Sequence, residues 1–251
     1  MDAQRNGSDQ SKSKSIFPKG GSDSFNPQEL KVHLSEVARY AGGSRYQIDS
    51  EMEALARSMF NQARSLCRPV FGYVKHKIIT AVPGKGILIE DKVLIPCPPD
   101  ILNEVEFIVS VVCTIGPNLE KDVHALNTNG MRLEALFLDA SGVALLEAAA
   151  QKAHEQIDKL ARKDNLFAGC RWEPGCEKTP LETQTILFNL IDASAIGVEL
   201  LQGGAMRPFK SLSFWIPIMR HPVAPVTQDK CRSCGLKHCL YRTPPLAKGK
   251  H

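Results

Sequence analysis

The stretch EFIVSVVCTIGP, residues 106–117, contains the change of pattern from which the fold class is predicted. From Glu106 to Ile115 the side chains are β-branched or apolar almost throughout, which predicts a buried strand. Gly116-Pro117 then ends the extended pattern, and proline suits the first turn of a helix. The stretch therefore predicts a buried strand that is followed directly by helical structure.

Other extended segments lie on either side of this strand. Residues Tyr73 to Ala81 and Gly86 to Ile95 are rich in β-branched side chains, and Pro-Gly and Pro-Pro breaks separate the segments. A last extended region covers Ile196 to Met219. The three extended segments between Tyr73 and Ile115 are expected to be strands of one sheet.

Apolar side chains at intervals of three and four predict several helices. Because these helices and the strands are grouped rather than strictly alternating, the chain is predicted to have an α+β fold. The helices are expected after Asn26-Pro27, from Ser50 to Pro69, after Gly116-Pro117, along Val143 to Leu160, and from Thr179 to about Asp192.

The composition is that of an ordinary globular protein, with 251 residues, 43% hydrophobic and 23% charged. Residues 1–24 are rich in serine, glycine and charge, and we expect a disordered leader there. Residues 25–226 should form the α+β domain, followed by a cysteine-rich tail at 227–251. No apolar run resembles a membrane span or a secretion signal, so membrane insertion and secretion are disfavoured and a cytoplasmic location is expected.

The net charge of +4 arises in the tail, because the rest of the chain has slightly more acidic than basic side chains. A nucleic-acid-binding domain more usually has basic and aromatic side chains on a folded face, and only 6% of this chain is aromatic. No nucleic-acid partner is therefore expected. The basic tail residues are Lys230, Arg232, Lys237, Arg242, Lys248 and Lys250.

Three of the eight cysteines form the motif C-x2-C-x4-C at Cys231, Cys234 and Cys239, a density that favours a metal site. Tetrahedral coordination needs a fourth ligand, for which Cys176 or Cys170 is the best candidate. Thiolates suit both an iron–sulfur cluster and zinc. The remaining cysteines lie in apolar surroundings and should be buried side chains: Cys67, Cys97 and Cys113.

Motifs for common enzyme chemistry are missing from the sequence, and no catalytic residue is predicted. Neither a dinucleotide-binding glycine motif nor a phosphate-binding loop is present, and the usual serine hydrolase and zinc peptidase motifs are missing too. Two segments have polar side chains beside glycines, as ligand sites often do: 171–176, with Arg171 and Gly175, and 203–213, with Gly203-Gly204 before Lys210 and Ser211.

These segments occur in an order that resembles the activation, or reactivation, domain of cobalamin-dependent methionine synthase and its short free-standing relatives. The family pattern R-x-x-P-G-Y is matched from Arg171 to Gly175, and a P-L-x-x-Q helix by Pro180 to Gln184. The pattern then continues in Ile196-Gly197-Val198 and in 206–213, M-x-P-x-x-S-x-S. The similarity extends over about residues 28–220.

This resemblance implies a curved antiparallel sheet flanked by helices, and a domain that binds S-adenosylmethionine and caps a cobalamin module. It implies that Arg171 holds the methionine carboxylate and that Gly175 lets the backbone approach the ligand.

Cys176 stands where the family has tyrosine, and Gln202 where it has an acid. We therefore expect the tail to fold back, so that a four-cysteine site borders the ligand site. The implied cofactor-binding residues are Arg171, Glu173, Gly175, Cys176, Gln202, Gly203, Lys210 and Ser211, and the metal ligands are Cys176, Cys231, Cys234 and Cys239.

The leading functional hypothesis is an accessory protein for reductive reactivation of a corrinoid-dependent methyltransferase such as methionine synthase, with an iron–sulfur cluster on the cysteines. The chain has no D-x-H-x-x-G motif, so cobalamin is expected to belong to a partner, either a corrinoid protein or the methionine synthase core. Two alternatives are an S-adenosylmethionine-binding methyl-transfer subunit and a zinc-stabilised binding module without chemistry.

Overall fold

A seven-stranded antiparallel sheet forms the centre of the computed structural model, which describes residues 16–90, 93–96, 104–176, 179–222 and 238–242. The strands pair in the order β4-β3-β2-β5-β9-β6, and β1 pairs with β2. A separate hairpin consists of β7 and β8. In chain order the strands are β1 (Gly20–Ser24), β2 (Val70–Val82), β3 (Gly86–Ile89), β4 (Leu94–Ile95), β5 (Val105–Thr114), β6 (Phe167–Ala168), β7 (Glu199–Leu200), β8 (Met206–Arg207) and β9 (Ser211–Met219).

The central strand β5 is buried on both faces of the sheet, and only Glu106 within it is exposed. Its two neighbours fix its register, since Ser110 lies opposite Val74 on β2 and opposite Trp215 on β9. Because successive side chains point to opposite faces, one strand supplies apolar residues to two cores. This double burial explains the nearly continuous apolar run in the sequence.

Five α-helices accompany the sheet within the described residues, and α4 is the longest of them. One core lies between the sheet and α4, whose buried residues include Leu145, Ala149 and Ile157. On the opposite face, Trp215 and Val112 pack with Leu187 of α5. The helices are α1 (Leu34–Gly42), α2 (Ser50–Leu66), α3 (Asn118–Thr128), α4 (Arg132–Arg162) and α5 (Thr183–Leu190), with short 3-10 helices at Pro27–Glu29 and Ala193–Ile196.

The predicted fold class is confirmed: the protein has an α+β fold in which helices flank an antiparallel sheet. Among the helices of the described residues, none combines the length and apolar composition that crossing a bilayer requires.

The expected disordered leader needs correction over its described part, residues 16–24. Gly20–Ser24 forms β1 along one edge of β2, and Phe17 is buried with its ring 5.0 Å from that of Phe107. The backbone N–H groups of Ile16 and Phe17 donate hydrogen bonds to the Asp164 carboxylate. The strand was missed because its side chains are exposed and its pairing uses the backbone alone. Residues 1–15 lie outside the described part of the chain.

Three helix starts also differ from the sequence prediction. The helix expected from Thr179 begins at Thr183, as α5. The region after Asn26 forms only a single 3-10 turn, and α1 begins later, at Leu34. Asp49 rather than Ser50 caps α2, since its side chain accepts a hydrogen bond from the Met52 N–H. Both acids and hydroxyls can cap a helix, so the sequence allowed either residue.

Part of the tail packs against the end of α1. Leu240 O accepts a hydrogen bond from the Ser44 N–H at 2.7 Å, and Tyr241 O accepts one from Arg39 Nη1 at 2.7 Å. The Tyr40 and Tyr241 rings lie 5.9 Å apart. Residues 238–242 therefore return to the domain near Tyr40.

Candidate functional site

Arg171 is directed to the α4 side of the sheet by strand geometry. The next residue, Trp172, exchanges two backbone hydrogen bonds of 2.9 Å with Trp215 of β9 and packs into the core on the opposite face. Side chains alternate along extended backbone, so Arg171 lies on the other face. There its guanidinium carbon is 5.1 Å from the centroid of the Phe214 ring.

Two carboxylates hold the Arg171 guanidinium. Its Nη2 donates a hydrogen bond to Glu147 Oε2 at 3.0 Å, and its Nε lies 3.4 Å from Glu173 Oε1. The Arg171 side chain is only 4% exposed, against 30% for Glu147 and 20% for Glu173. Nη1 is buried and has no hydrogen-bond partner among the described residues. We call Arg171, Glu147 and Glu173 the arginine cluster.

Glu173 is the acid most affected by this environment. Burial raises the pKa of its carboxyl, the Arg171 charge lowers it, and the Glu147 carboxylate raises it, with the result at about 7. One guanidinium facing two carboxylates leaves an excess of negative charge when both acids are ionised. Such a strongly shifted acid at the edge of a buried charge cluster is typical of functional sites.

Two other titratable side chains border the cluster. Burial raises the pKa of Tyr40, and the charge of Glu147 raises it further. Burial lowers the pKa of His154 on α4, whose ring nitrogen lies 2.8 Å from Gly169 O. Tyr40 also contacts Tyr241, so the tail lies next to a side chain whose pKa responds to the charge of Glu147.

A tight turn follows the cluster at Gly175 and Cys176. Gly175 has φ +90, and its N–H donates a hydrogen bond to Thr179 O at 2.8 Å. Cys176 pairs with Thr179 across the turn, and its N–H donates to Glu173 O. The positive φ favours glycine, which also leaves this backbone open to close approach. The turn thus places Cys176 directly beside the arginine cluster.

The predicted site residues Gln202 and Gly203 lie in the turn between β7 and β8. Gln202 is exposed, and Gly203 has φ +88. The turn is attached to α5, because Gln184 Nε2 donates a hydrogen bond to Gly204 O at 2.9 Å.

Lys210 and Ser211 are located at the start of β9, where they connect several elements. Lys210 Nζ donates to Asp139 Oδ1 at 2.6 Å, and its backbone N–H donates to Glu120 Oε1. Ser211 Oγ donates to Thr114 Oγ1 at 2.9 Å. Asp139 and Glu147 are two turns apart on α4, about 12 Å along its axis. The assignment of Lys210 and Ser211 as cofactor-binding residues stays a prediction.

The cysteines divide into buried and accessible groups. Cys67 and Cys113 are buried, as predicted, and burial raises their thiol pKa values to about 12. Cys170 and Cys176 are exposed and Cys239 is half-buried. The other predicted metal ligands, Cys231 and Cys234, lie outside the described residues, as does Cys97. Within the described ranges, no group of three or more His, Cys, Asp or Glu side chains could hold a metal ion.

Glu147 was not among the predicted site residues. It lies on α4 within the run Ala144-Leu-Leu-Glu-Ala-Ala-Ala150, where it is the only charged side chain. A lone acid among buried residues requires a cationic partner, so the run itself indicated that Glu147 has such a partner. The identity of that partner depends on the packing of residue 171 against α4.

Comparison with known proteins identifies a structural neighbour and no sequence relative. No protein-family model matches the chain, and no curated protein matches it in sequence. Among solved structures, the chain is similar to the MetH reactivation domain bound to AdoHcy, with a TM-score of 0.57 and 15% identity. The similarity covers 84% of this chain and 81% of that one. The protein therefore has the fold of that reactivation domain.

Proposed function

We propose that this protein binds an S-adenosyl amino acid at the arginine cluster and takes part in reductive reactivation of a corrinoid-dependent methyltransferase such as methionine synthase. The observation that carries the proposal is Arg171 Nη1, a buried cationic donor without a partner among the described residues. The similar reactivation domain is bound to AdoHcy, which supports this ligand class.

The cluster offers complementary groups to the amino-acid end of such a ligand. Arg171 Nη1 would donate to the ligand carboxylate, while Glu147 and Glu173 would accept from its ammonium group. The backbone at Gly175 would approach the ligand closely, since glycine there has no side chain. The proposal also includes ligand contacts by the other predicted cofactor-binding residues, which are Cys176, Gln202, Gly203, Lys210 and Ser211.

The partner's corrinoid, once reduced by an electron, would accept the methyl group from the ligand's sulfonium, and the ligand would be left as the thioether. The corrinoid would be supplied by a corrinoid-binding protein or by the methionine synthase core. Both reactants are expected in the cytoplasm. This chain would hold the methyl donor and exclude water from it.

A metal site on Cys176, Cys231, Cys234 and Cys239 is the second part of the proposal, with Cys170 as the alternative fourth ligand. Thiolate donors fit both a [4Fe–4S] cluster and zinc. Two observations support the site: Cys176 is exposed on its turn, and residues 238–242 return to the domain beside Tyr40. An iron–sulfur cluster there would supply single-electron transfer, whereas zinc would only stabilise the tail.

Isothermal titration with S-adenosylmethionine and S-adenosylhomocysteine tests the ligand site. We expect binding by the wild type, loss of at least about tenfold in affinity for Arg171→Lys, and a greater loss for Arg171→Ala. Arg162→Ala is the matched control, because Arg162 pairs with Asp158 elsewhere on α4. Thermal unfolding of each variant shows whether it is folded. An absence of heat with both ligands for a folded wild type would remove the ligand proposal.

Anaerobic purification tests the metal site. Iron, sulfide and zinc analysis and a visible spectrum should be compared for wild type, Cys176→Ala and Cys170→Ala. Absorption that weakens only in Cys176→Ala would support the cluster with Cys176 as its fourth ligand. Absorption that weakens only in Cys170→Ala would make Cys170 the fourth ligand instead. A colourless protein with zinc favours the zinc-stabilised binding module. If a metal-loaded protein fails to speed cobalt reduction in a corrinoid partner that it binds, the electron-transfer role is wrong.

A further inference from the structure

The charge balance of the arginine cluster has a consequence for ligand selection. Glu147 approaches Arg171 from α4 and Glu173 approaches it from the loop, so two carboxylates share one guanidinium. Tyr40 and His154 face the same region without adding a fixed charge. The Arg39 guanidinium stacks on the Tyr40 ring, and its Nη1 donates to Tyr241 O. The cluster therefore has one more negative than positive charge when both acids are ionised.

A buried excess of negative charge favours cationic ligands over neutral ligands of similar shape. The Arg171 side chain is 4% exposed, and the low dielectric around it weakens solvent screening. S-Adenosylmethionine carries a sulfonium, an ammonium and a carboxylate, a net charge of +1. S-Adenosylhomocysteine lacks the sulfonium charge and is neutral overall. Nη1 can bind the carboxylate of either compound, so the carboxylate does not discriminate between them.

We infer that Glu147 and Glu173 make the arginine cluster selective for cationic ligands, so that it prefers the sulfonium donor to the thioether product. This inference rests on the proposed function, because it concerns the same site. The inference assigns a role in ligand specificity to Glu173, which lies in the same loop as Arg171. Such a preference would release the product once its methyl group has been transferred.

Affinity ratios test the inference independently of absolute affinity. Three ligands should be compared by titration at pH 8, where Glu173 is mostly ionised: S-adenosylmethionine, S-adenosylhomocysteine and S-adenosylhomocysteine sulfoxide, which is neutral but has an added atom on sulfur. We expect the sulfonium compound to bind about tenfold more tightly than either neutral compound. The ratio should fall to about threefold or less in Glu173→Gln and should shrink with added salt.

Glu155→Gln is the matched control, since Glu155 is exposed on the same helix as Glu147 and its removal changes the net charge equally. Its ratio should equal that of the wild type. Glu147→Gln provides a second variant with the same expected loss of preference.

Each other outcome is decisive. Equal affinities for all three ligands in the wild type would overturn the inference and leave the proposed function standing. A ratio unchanged in Glu173→Gln and Glu147→Gln would overturn it in the same way. Tighter binding of S-adenosylmethionine by Glu173→Gln would show that Glu173 competes with the ligand instead of favouring it, and this would also overturn the inference. No binding of any of the three ligands would remove the proposed function and the inference together.

Discussion

Arg171 and Glu147 are joined by a hydrogen bond of 3.0 Å between Nη2 and Oε2, although 24 residues separate them in the chain. The bond connects α4 to the loop beside β9, so it fixes the loop against the helix. It also anchors the guanidinium, so that Nη1 is held in a fixed position. The stability of the fold and the geometry of the proposed site therefore depend on the same pair.

Replacing Arg171 should destabilise the protein strongly. Arg171→Ala leaves two partly buried carboxylates without their shared cation, and we expect a loss of about 3 kcal/mol in the free energy of unfolding. Urea unfolding followed by circular dichroism measures the change. Arg162→Ala, which removes an exposed pair with Asp158, should lose less than about 1 kcal/mol. Equal losses in the two variants would contradict the anchoring role of Arg171.

Glu173 should make stability depend on pH near neutrality. Its pKa is raised from 4.5 to about 7 in the folded protein, so the native state binds more protons than the unfolded state between these values. The free energy of unfolding should therefore fall as pH rises from about 4.5 through 7.

Glu173→Gln removes this contribution. At pH 8 the variant should be more stable than wild type by about 2 kcal/mol, and the difference should largely disappear at pH 5. Thermal unfolding at the two pH values measures it, with Glu155→Gln as the exposed control. A Glu173→Gln advantage that is the same at both pH values would exclude the raised pKa as its cause.

Lys210 should contribute to stability by connecting β9 to α4. Its side chain is 13% exposed, and it ends at Asp139 with an Nζ–Oδ1 distance of 2.6 Å. We expect Lys210→Met, which keeps the apolar stem, to lower the free energy of unfolding by about 1 kcal/mol. Arg207→Met breaks the exposed pair with Glu199 and should change it by less than about 0.5 kcal/mol. Chemical denaturation of both variants would detect the difference, and a larger effect for Arg207→Met would contradict it.

The tail contact can be detected at two adjacent backbone amides. Ser44 N–H donates to Leu240 O in the tail, whereas Gly43 N–H donates to Arg39 O within α1. Truncation after residue 237 should speed hydrogen exchange of the Ser44 amide by at least about tenfold and leave that of Gly43 much closer to its wild-type rate. NMR hydrogen exchange resolves the two residues. Unchanged exchange at Ser44 would mean that the tail contact does not protect this amide.

The best sequence predictions were those that depend on side-chain pattern. The strand predicted from Glu106 to Ile115 is observed at Val105–Thr114, because burial on both faces leaves an unmistakable apolar run. Burial of Cys67 and Cys113 was also predicted, since both lie in apolar stretches. By contrast, β1 has no apolar pattern, and only its backbone pairing with β2 defines it.

The sequence by itself determined the α+β class, the central strand and the long amphipathic helix, and it indicated Arg171 as a candidate site residue. These features depend on periodicity or on a short motif, both of which are local. Only the tertiary structure decided that Glu147 is the partner of Arg171, that Lys210 pairs with Asp139, and that residues 238–242 lie beside Tyr40. The physical reason is that a buried charge requires a counter-charge but does not specify which one. That choice depends on how α4 packs over the sheet.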